Sequence, residues 1–250
     1  GSYSVGMKGV EIVVGVITAL STVFIPRATA YYANNDARQF KNINIYATNI
    51  AMFIVVPAIA LMITLASPIT SLIGGTNGYI NSNSVLISLS SLMLTYSISG
   101  IIYTQILIPT KKEKIYMFVM LIGSILNISL SLLFGLLVFK NNPAFGVALG
   151  TSIADLVILG ILISNTWGHS KTMLLTINNL KILLLGIVLA AITFVLNKYL
   201  PVNLENPETS LFVKIIIIFL IDLVVYLVGS FLLKEKLVRS FFKPKEMEAK

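Results

Sequence analysis

Cysteine is absent from this 250-residue chain, and histidine occurs once, at His169. Without thiols there are no disulfides and no thiolate metal site, and one imidazole alone builds neither a zinc centre nor a histidine relay. Charge is scarce as well: 11% of the residues are Asp, Glu, Lys or Arg, against about 25% in an ordinary soluble domain. A phosphate-cradling loop is missing, because GGTNGYINS (74–82) lacks the Gly-Lys-Ser/Thr ending, so ATP hydrolysis is not expected. Hydrophobic residues are what the chain has in excess, at 56%. That is the composition of a membrane protein.

Crossing roughly 30 Å of hydrocarbon takes about 20 apolar residues in a helix. Runs of that length predict seven spans, at 9–26, 46–73, 83–109, 115–139, 144–164, 182–200 and 211–233. The expected fold is therefore all-α, a polytopic transmembrane bundle over 1–233 followed by a basic tail, 234–250. Breaks fall where turn formers cluster: GGTNGYINSN (74–83), KNNP (140–143) and PVNLENPE (201–208). Pro57 lies inside the second run, where a missing backbone donor predicts a kink. The first run is expected to stop on Pro26-Arg27, in TVFIPRATAYYANNDARQF (22–40). GSYSVGMKGVEIVVG at the start has no initiator methionine, basic n-region or cleavage site, and reads as the beginning of a fragment.

The net charge of +8 lies between the apolar runs rather than on one amphipathic face, which argues for topology and against nucleic acid. Alternate loops and the tail hold fourteen of the eighteen basic residues: Arg27, Arg38, Lys41, Lys111, Lys112, Lys114, Lys171, Lys181 and six beyond 233. The positive-inside bias then puts Gly1 outside and Lys250 in the cytoplasm. The basic tail and TKKEK (110–114) suit anionic lipid on that face.

Intramembrane ionisable residues are functional candidates by default. Asp155 in the fifth span and Asp222 in the seventh are such groups, as cavity or coupling residues or as buried interhelical hydrogen-bonding partners. Lys214 is eight residues from Asp222, so the partner of Asp222 must lie on another helix. Lys8 and Glu11 stand at i,i+3 and can pair, either facing a cavity, where Lys8 can bind an anion, or snorkelling at the interface. Arg27 suits bidentate phosphate binding or a headgroup contact. Asn127 suits a sugar hydroxyl or a neighbouring helix. Tyr31 and Tyr32 suit sugar stacking or an interfacial belt. Gly146, Ala148, Gly150 and Ser152 are small enough for close helix packing.

Several of these stretches share an order. YSVGMKGVEIVVGVITALSTVFIPRATAYYANND resembles a segment of the multidrug/oligosaccharidyl-lipid/polysaccharide (MOP) flippase superfamily in which a helix ends in Pro-Arg. VVPAIALMITLASPITSLIGG (55–75) is similar to that superfamily's next helix, LIGSILNISLSLLFG (121–135) to its asparagine-bearing helix, and FGVALGTSIADLVILGIL (145–162) to its G-x-A-x-x-T-x-x-x-[DE] helix. The nearest branch is the Wzx-type polysaccharide flippases. The likeness covers roughly residues 3–165, and the last two spans match only in hydrophobicity.

The resemblance implies the second half of a two-bundle transporter and no enzyme. Its cargo would be an oligosaccharide on undecaprenyl pyrophosphate, moved from the inner to the outer leaflet of the bacterial cytoplasmic membrane by alternating access. Polysaccharide polymerase, glycosyltransferases and the missing N-terminal half would be partners, beside the bilayer itself. No cofactor is implied, though a Na+ or H+ gradient or the membrane potential is a candidate driving force. Arg27, Lys8 and Asn127 would face substrate; Glu11, Asp155 and Asp222 would line the cavity or couple the ion. A cation-coupled exporter of the MATE type is the alternative. A polymerase or ligase of the same sugars ranks below both, because the outer loops are short and nearly uncharged.

Overall fold

The computed structural model describes residues 2–74, 82–200 and 206–233, so the loop residues 75–81 and 201–205 and the basic tail expected beyond 233 lie outside the described residues. All regular structure in the described residues is helical: α1 (Ser2–Ala33), α2 (Ala37–Thr64), α3 (Ala66–Gly74), α4 (Ser82–Ile101), α5 (Glu113–Leu132), α6 (Pro143–Asn165), α7 (Trp167–Leu174), α8 (Ile177–Tyr199) and α9 (Pro207–Leu232). Two π-helical segments, π1 (Ile102–Leu107) and π2 (Leu133–Val138), continue α4 and α5. Seven of these helices, π continuations included, are long and apolar enough to cross a membrane.

Pro26-Arg27 does not end the first helix, contrary to the sequence expectation. α1 runs through Pro26 for seven more residues to Ala33. A proline inside a helix removes one hydrogen bond without obliging the chain to leave it, and membrane helices tolerate that loss. The stop comes at Asn34-Asn35, where Asn35 takes a left-handed φ of 56°, a conformation asparagine accepts more readily than most residues. Asp36 then caps α2, its side chain accepting from the Gln39 N–H at 3.0 Å.

The second span also differs in its break. Helix α2 is continuous through Pro57 and ends at Thr64, with Leu65 separating it from α3. Pro57 cannot donate to the Phe53 carbonyl four residues back, and the Tyr226 hydroxyl of α9 donates there instead, at 2.9 Å. The backbone acceptor released by the proline is thus taken by another helix.

Helix α4 is the centre of the bundle, packed against α1, α2 and α6, with Val85, Leu89, Leu92 and Met93 shut off from solvent. In lipid, burying such side chains gains little from the hydrophobic effect, so close packing and interhelical hydrogen bonds hold the helices together. The α5–α6 contact shows both. A Cβ on Gly150 would lie 2.8 Å from the Leu130 carbonyl carbon, so the two backbones touch. Beside it, Asn127 Oδ1 accepts from Ser131 Oγ at 2.9 Å and from Thr151 Oγ1 at 3.2 Å. Ser152 joins α6 to α4 by donating to the Ser88 carbonyl at 2.8 Å.

The α8–α9 hairpin is joined by Thr193 donating to Asp222 at 2.7 Å and Lys214 donating to the Asn197 carbonyl at 2.6 Å. Asn197 in turn donates to the Thr64 carbonyl at the end of α2, at 3.1 Å. At the opposite end of the bundle, Lys181 donates to the Leu233 carbonyl at 2.8 Å.

The short helix α7 lies at the end that carries Arg38, Lys41, Lys111 and Lys112. Its His169 meets the Phe40 ring edge-on, centroids 5.5 Å apart. Burial, reinforced by the nearby Lys112 ammonium, holds this imidazole below its ordinary value of 6.5. The unfolded chain therefore takes up that proton more readily than the folded one, and His169 contributes stability above about pH 6.5 that is lost as the pH falls. The melting temperature is expected to drop between pH 7.5 and pH 5.5, and the drop should be smaller in His169→Gln.

Candidate functional site

One face of α1 repeats at helical spacing: Met7, Glu11, Val14, Thr18, Thr22 and Ile25. This stripe forms one wall of a groove made of two adjoining cavities, about 610 Å³ and about 470 Å³, which share Val14, Thr18 and Tyr96. Glu11 lines the larger cavity. The smaller runs between α1, α4, π1, α5 and α6, and Thr95, Ser99, Tyr103, Thr104, Tyr116 and Asp155 line it. Cavities of several hundred Å³ with a few convergent polar groups are the usual form of a ligand site.

Asp155 is the polar centre of this groove. Its residue is 8% exposed, and the Tyr96 phenol of α4 lies within hydrogen-bonding reach of its carboxyl group. Its Oδ2 has no hydrogen-bond partner among the described residues. Asp155 thus makes an interhelical contact through Tyr96 and keeps a remaining oxygen in a residue that lines the cavity. A buried carboxylate oxygen without a partner costs free energy that a donor on a ligand would recover.

The aromatic part comes from π1 and α5. Tyr103 and Tyr116 stack at 4.3 Å between centroids, 29° between planes. π1 places Tyr103 there: the Ile108 N–H reaches back five residues to the Tyr103 carbonyl at 2.9 Å, and such widened turns collect at functional sites. Gln105, fully buried in the same segment, donates to the Ser21 carbonyl of α1 at 2.9 Å and so fixes π1 against the groove wall. Tyr96, Ser99 or Gly100, and Tyr103 follow an i, i+3/i+4, i+7 pattern. That spacing was visible in the sequence, but a tyrosine in an apolar run is read first as an interfacial residue, so all three tyrosines were missed.

The other sequence candidates are dispersed. Arg27 is exposed, and at about 100° per residue it falls on the side of α1 opposite the groove stripe. Lys8 is exposed and Glu11 likewise, and the expected pair between them is not formed: Lys8 is free of Glu11, which turns to the groove instead. Asn127 is absent from the groove lining, since its acceptor oxygen is occupied within α5 and by α6. Asp222 lies away from this groove, between α2, α8 and α9, and its partner is on another helix, Thr193, as the spacing required. The two cavities along α1 thus hold two carboxylates and no lysine or arginine, where the sequence candidates leaned basic. An adjoining cavity of about 540 Å³ shares Tyr103, Tyr116 and Met120 with the smaller of them, and Glu113 and Lys114 line it. No group of three or more His, Cys, Asp or Glu side chains able to hold a metal occurs among the described residues.

No protein-family model and no curated protein matches this chain. Among solved structures, the chain is similar to one described as lipid II flippase MurJ in an inward closed conformation. The TM-score is 0.65 and the sequence identity 21%, over 93% of this chain. The match takes in 48% of the MurJ chain, so this chain spans about half the length of that transporter. The likeness establishes the fold: an all-helical bundle that follows about half of that chain.

Proposed function

We propose that the protein moves a lipid-linked oligosaccharide across the cytoplasmic membrane of a bacterium, from the inner to the outer leaflet, for polysaccharide export. This is the Wzx-type reading, with an undecaprenyl pyrophosphate carrier and alternating access between this bundle and a second bundle outside this chain. The groove is the observation that carries it. Stacked tyrosines, five serine and threonine hydroxyls and a carboxyl oxygen seeking a donor form a wall suited to sugar, whose ring faces are apolar and whose hydroxyls donate. A chain of hydroxyls and a diphosphate cannot enter hydrocarbon, so a polar cavity at bilayer depth is what the transport requires.

The lining leaves one part of the substrate unmatched. With Glu11 and Asp155, the cavities along α1 offer the diphosphate no cation, and the lysine that lines the adjoining cavity is Lys114. The bonds of the cargo are unchanged in flipping, and energy enters through a Na+ or H+ gradient or the membrane potential, with Asp155 the coupling candidate. In this orientation the residue 2 end of α1 is outside and the Lys111–Lys112 end cytoplasmic. Glycosyltransferases then supply the cargo from the cytoplasmic side and a polymerase consumes it on the other.

The acidic lining also favours a second reading, the MATE-type export of a cationic small molecule. Vesicles containing the full-length protein separate the two. Fluorescent oligosaccharide on undecaprenyl pyrophosphate, placed in the inner leaflet, is expected to become accessible to an outside quencher at a rate well above that of protein-free vesicles. An unchanged rate under every ion gradient, together with gradient-driven efflux of a lipophilic cation dye, would replace the flippase reading with the exporter.

A further inference from the structure

A second cavity, about 320 Å³, lies between α2, α8 and α9, and its lining shares no residue with the α1 groove. Phe53, Pro57 and Ala58 of α2, Leu189 of α8, and Phe219 and Leu223 of α9 give it an apolar wall. Asp222 is the one charged residue in that lining. It is 1% exposed, Thr193 donates to its Oδ2, and its Oδ1 has no hydrogen-bond partner among the described residues. Phe219 and Leu223, on either side of it, are about half exposed on the outer face of α9, so the wall reaches the surface that a membrane would cover.

We propose that this cavity binds a lipophilic amine, with Asp222 as the group that holds its nitrogen. The apolar wall accepts an alkyl or aromatic body, and a carboxyl oxygen without a donor selects an ammonium over an alcohol and rejects an anion. Depth narrows the class further. Asp222 stands near the middle of the 26-residue α9, on the order of 15 Å from either end of a span, beyond the reach of lipid headgroups. The ligand therefore enters from hydrocarbon as a neutral amine. With a neutral Asp222 carboxyl, its nitrogen lone pair takes the carboxyl proton as the O–H bond breaks and an N–H bond forms, leaving an ammonium–carboxylate pair. With an ionised Asp222, an amine carrying its own proton gives the same pair.

The site has no part in the sugar wall, and binding is measured without transport. The full-length protein in phosphatidylcholine nanodiscs is titrated with radiolabelled octylamine, octanol and octanoate, and protein-free nanodiscs are subtracted. Octylamine is expected to bind at least tenfold more tightly than octanol, and octanoate least. Asp222→Asn keeps a side-chain acceptor for Thr193 and should reduce octylamine to the octanol level. Ala58→Phe, which fills the cavity without touching the carboxyl group, should remove binding of both. Equal affinity of wild-type protein for amine and alcohol, or a preference for octanoate, overturns the proposal whatever the variants do. An amine preference that survives Asp222→Asn or Ala58→Phe overturns the assignment to this cavity.

Discussion

Asp155→Ala, in the full-length protein, is expected to slow delivery of lipid-linked oligosaccharide to the outer leaflet by about tenfold to a hundredfold while the protein remains folded and in the membrane. A hydrogen bond to a charged group is worth about 1.5–3 kcal/mol, and about 1.4 kcal/mol is one decade of rate. Removing the carboxyl group takes away the groove's unmatched acceptor and leaves the Tyr96 hydroxyl without the partner it reaches in α6. Tyr96→Phe separates the two effects: it releases one carboxyl oxygen but keeps the acceptor, so its rate should fall less than that of Asp155→Ala. Arg27→Ala, on the opposite side of α1, should transport close to the wild-type rate. The assay is quencher accessibility of the labelled substrate in vesicles of matched protein content. Wild-type transport by Asp155→Ala would remove the groove from the mechanism.

Gly150→Leu is expected to damage folding severely, costing about 3 kcal/mol or more. Overpacking a close-packed interior costs typically 1–3 kcal/mol when the neighbours are side chains that can shift. At Gly150 the first atoms met are the Leu130 carbonyl carbon and the Ser131 nitrogen, both at 2.8 Å, so a whole helix must move. The movement would also separate Asn127 from Thr151. Gly160, in the same helix, has nothing within 4 Å of its Cβ position, and Gly160→Leu is the control expected to stay near wild type. Melting in detergent, followed by the monodisperse fraction on size exclusion, should show Gly150→Leu largely aggregated at temperatures where Gly160→Leu is intact.

The sequence revealed the architecture because bilayer thickness imposes it: a run of about 20 apolar residues has few alternatives to a spanning helix. It also marked the small-residue face of α6, since Gly146 and Gly150 at i,i+4 have little other use in an apolar helix. What it misplaced were features settled by partners distant in sequence. Pro26 reads as a stop, yet local rules cannot say whether a lipid-covered helix survives a lost hydrogen bond, and α1 continues through it. At Pro57 the sequence shows the lost donor, while the hydroxyl that takes up the freed Phe53 carbonyl is on Tyr226, 169 residues later. Of the site candidates, Asp155 and Glu11 reach the groove, and they were chosen for an ionisable group within an apolar run. Arg27 stands out by its chemistry and its place at the end of the first run, and Asn127 by its chemistry, and neither signal specifies the face of a helix. The groove tyrosines carry no such signal, because a tyrosine in an apolar run reads as an interfacial residue, and for Tyr103 the widened turn of π1 leaves no mark in a hydrophobic run.

Four of the attachments of the last two spans have one property in common. Tyr226 grips the Phe53 carbonyl, Asn197 the Thr64 carbonyl, Lys214 the Asn197 carbonyl and Lys181 the Leu233 carbonyl. In each, one side chain reads a main-chain oxygen, and every amino acid presents that oxygen in the same place. Substitution on the accepting side leaves such a contact in place as long as the helix keeps its course. Half of each fastening is thus exempt from mutation, and α8 and α9 can diverge in composition while remaining seated.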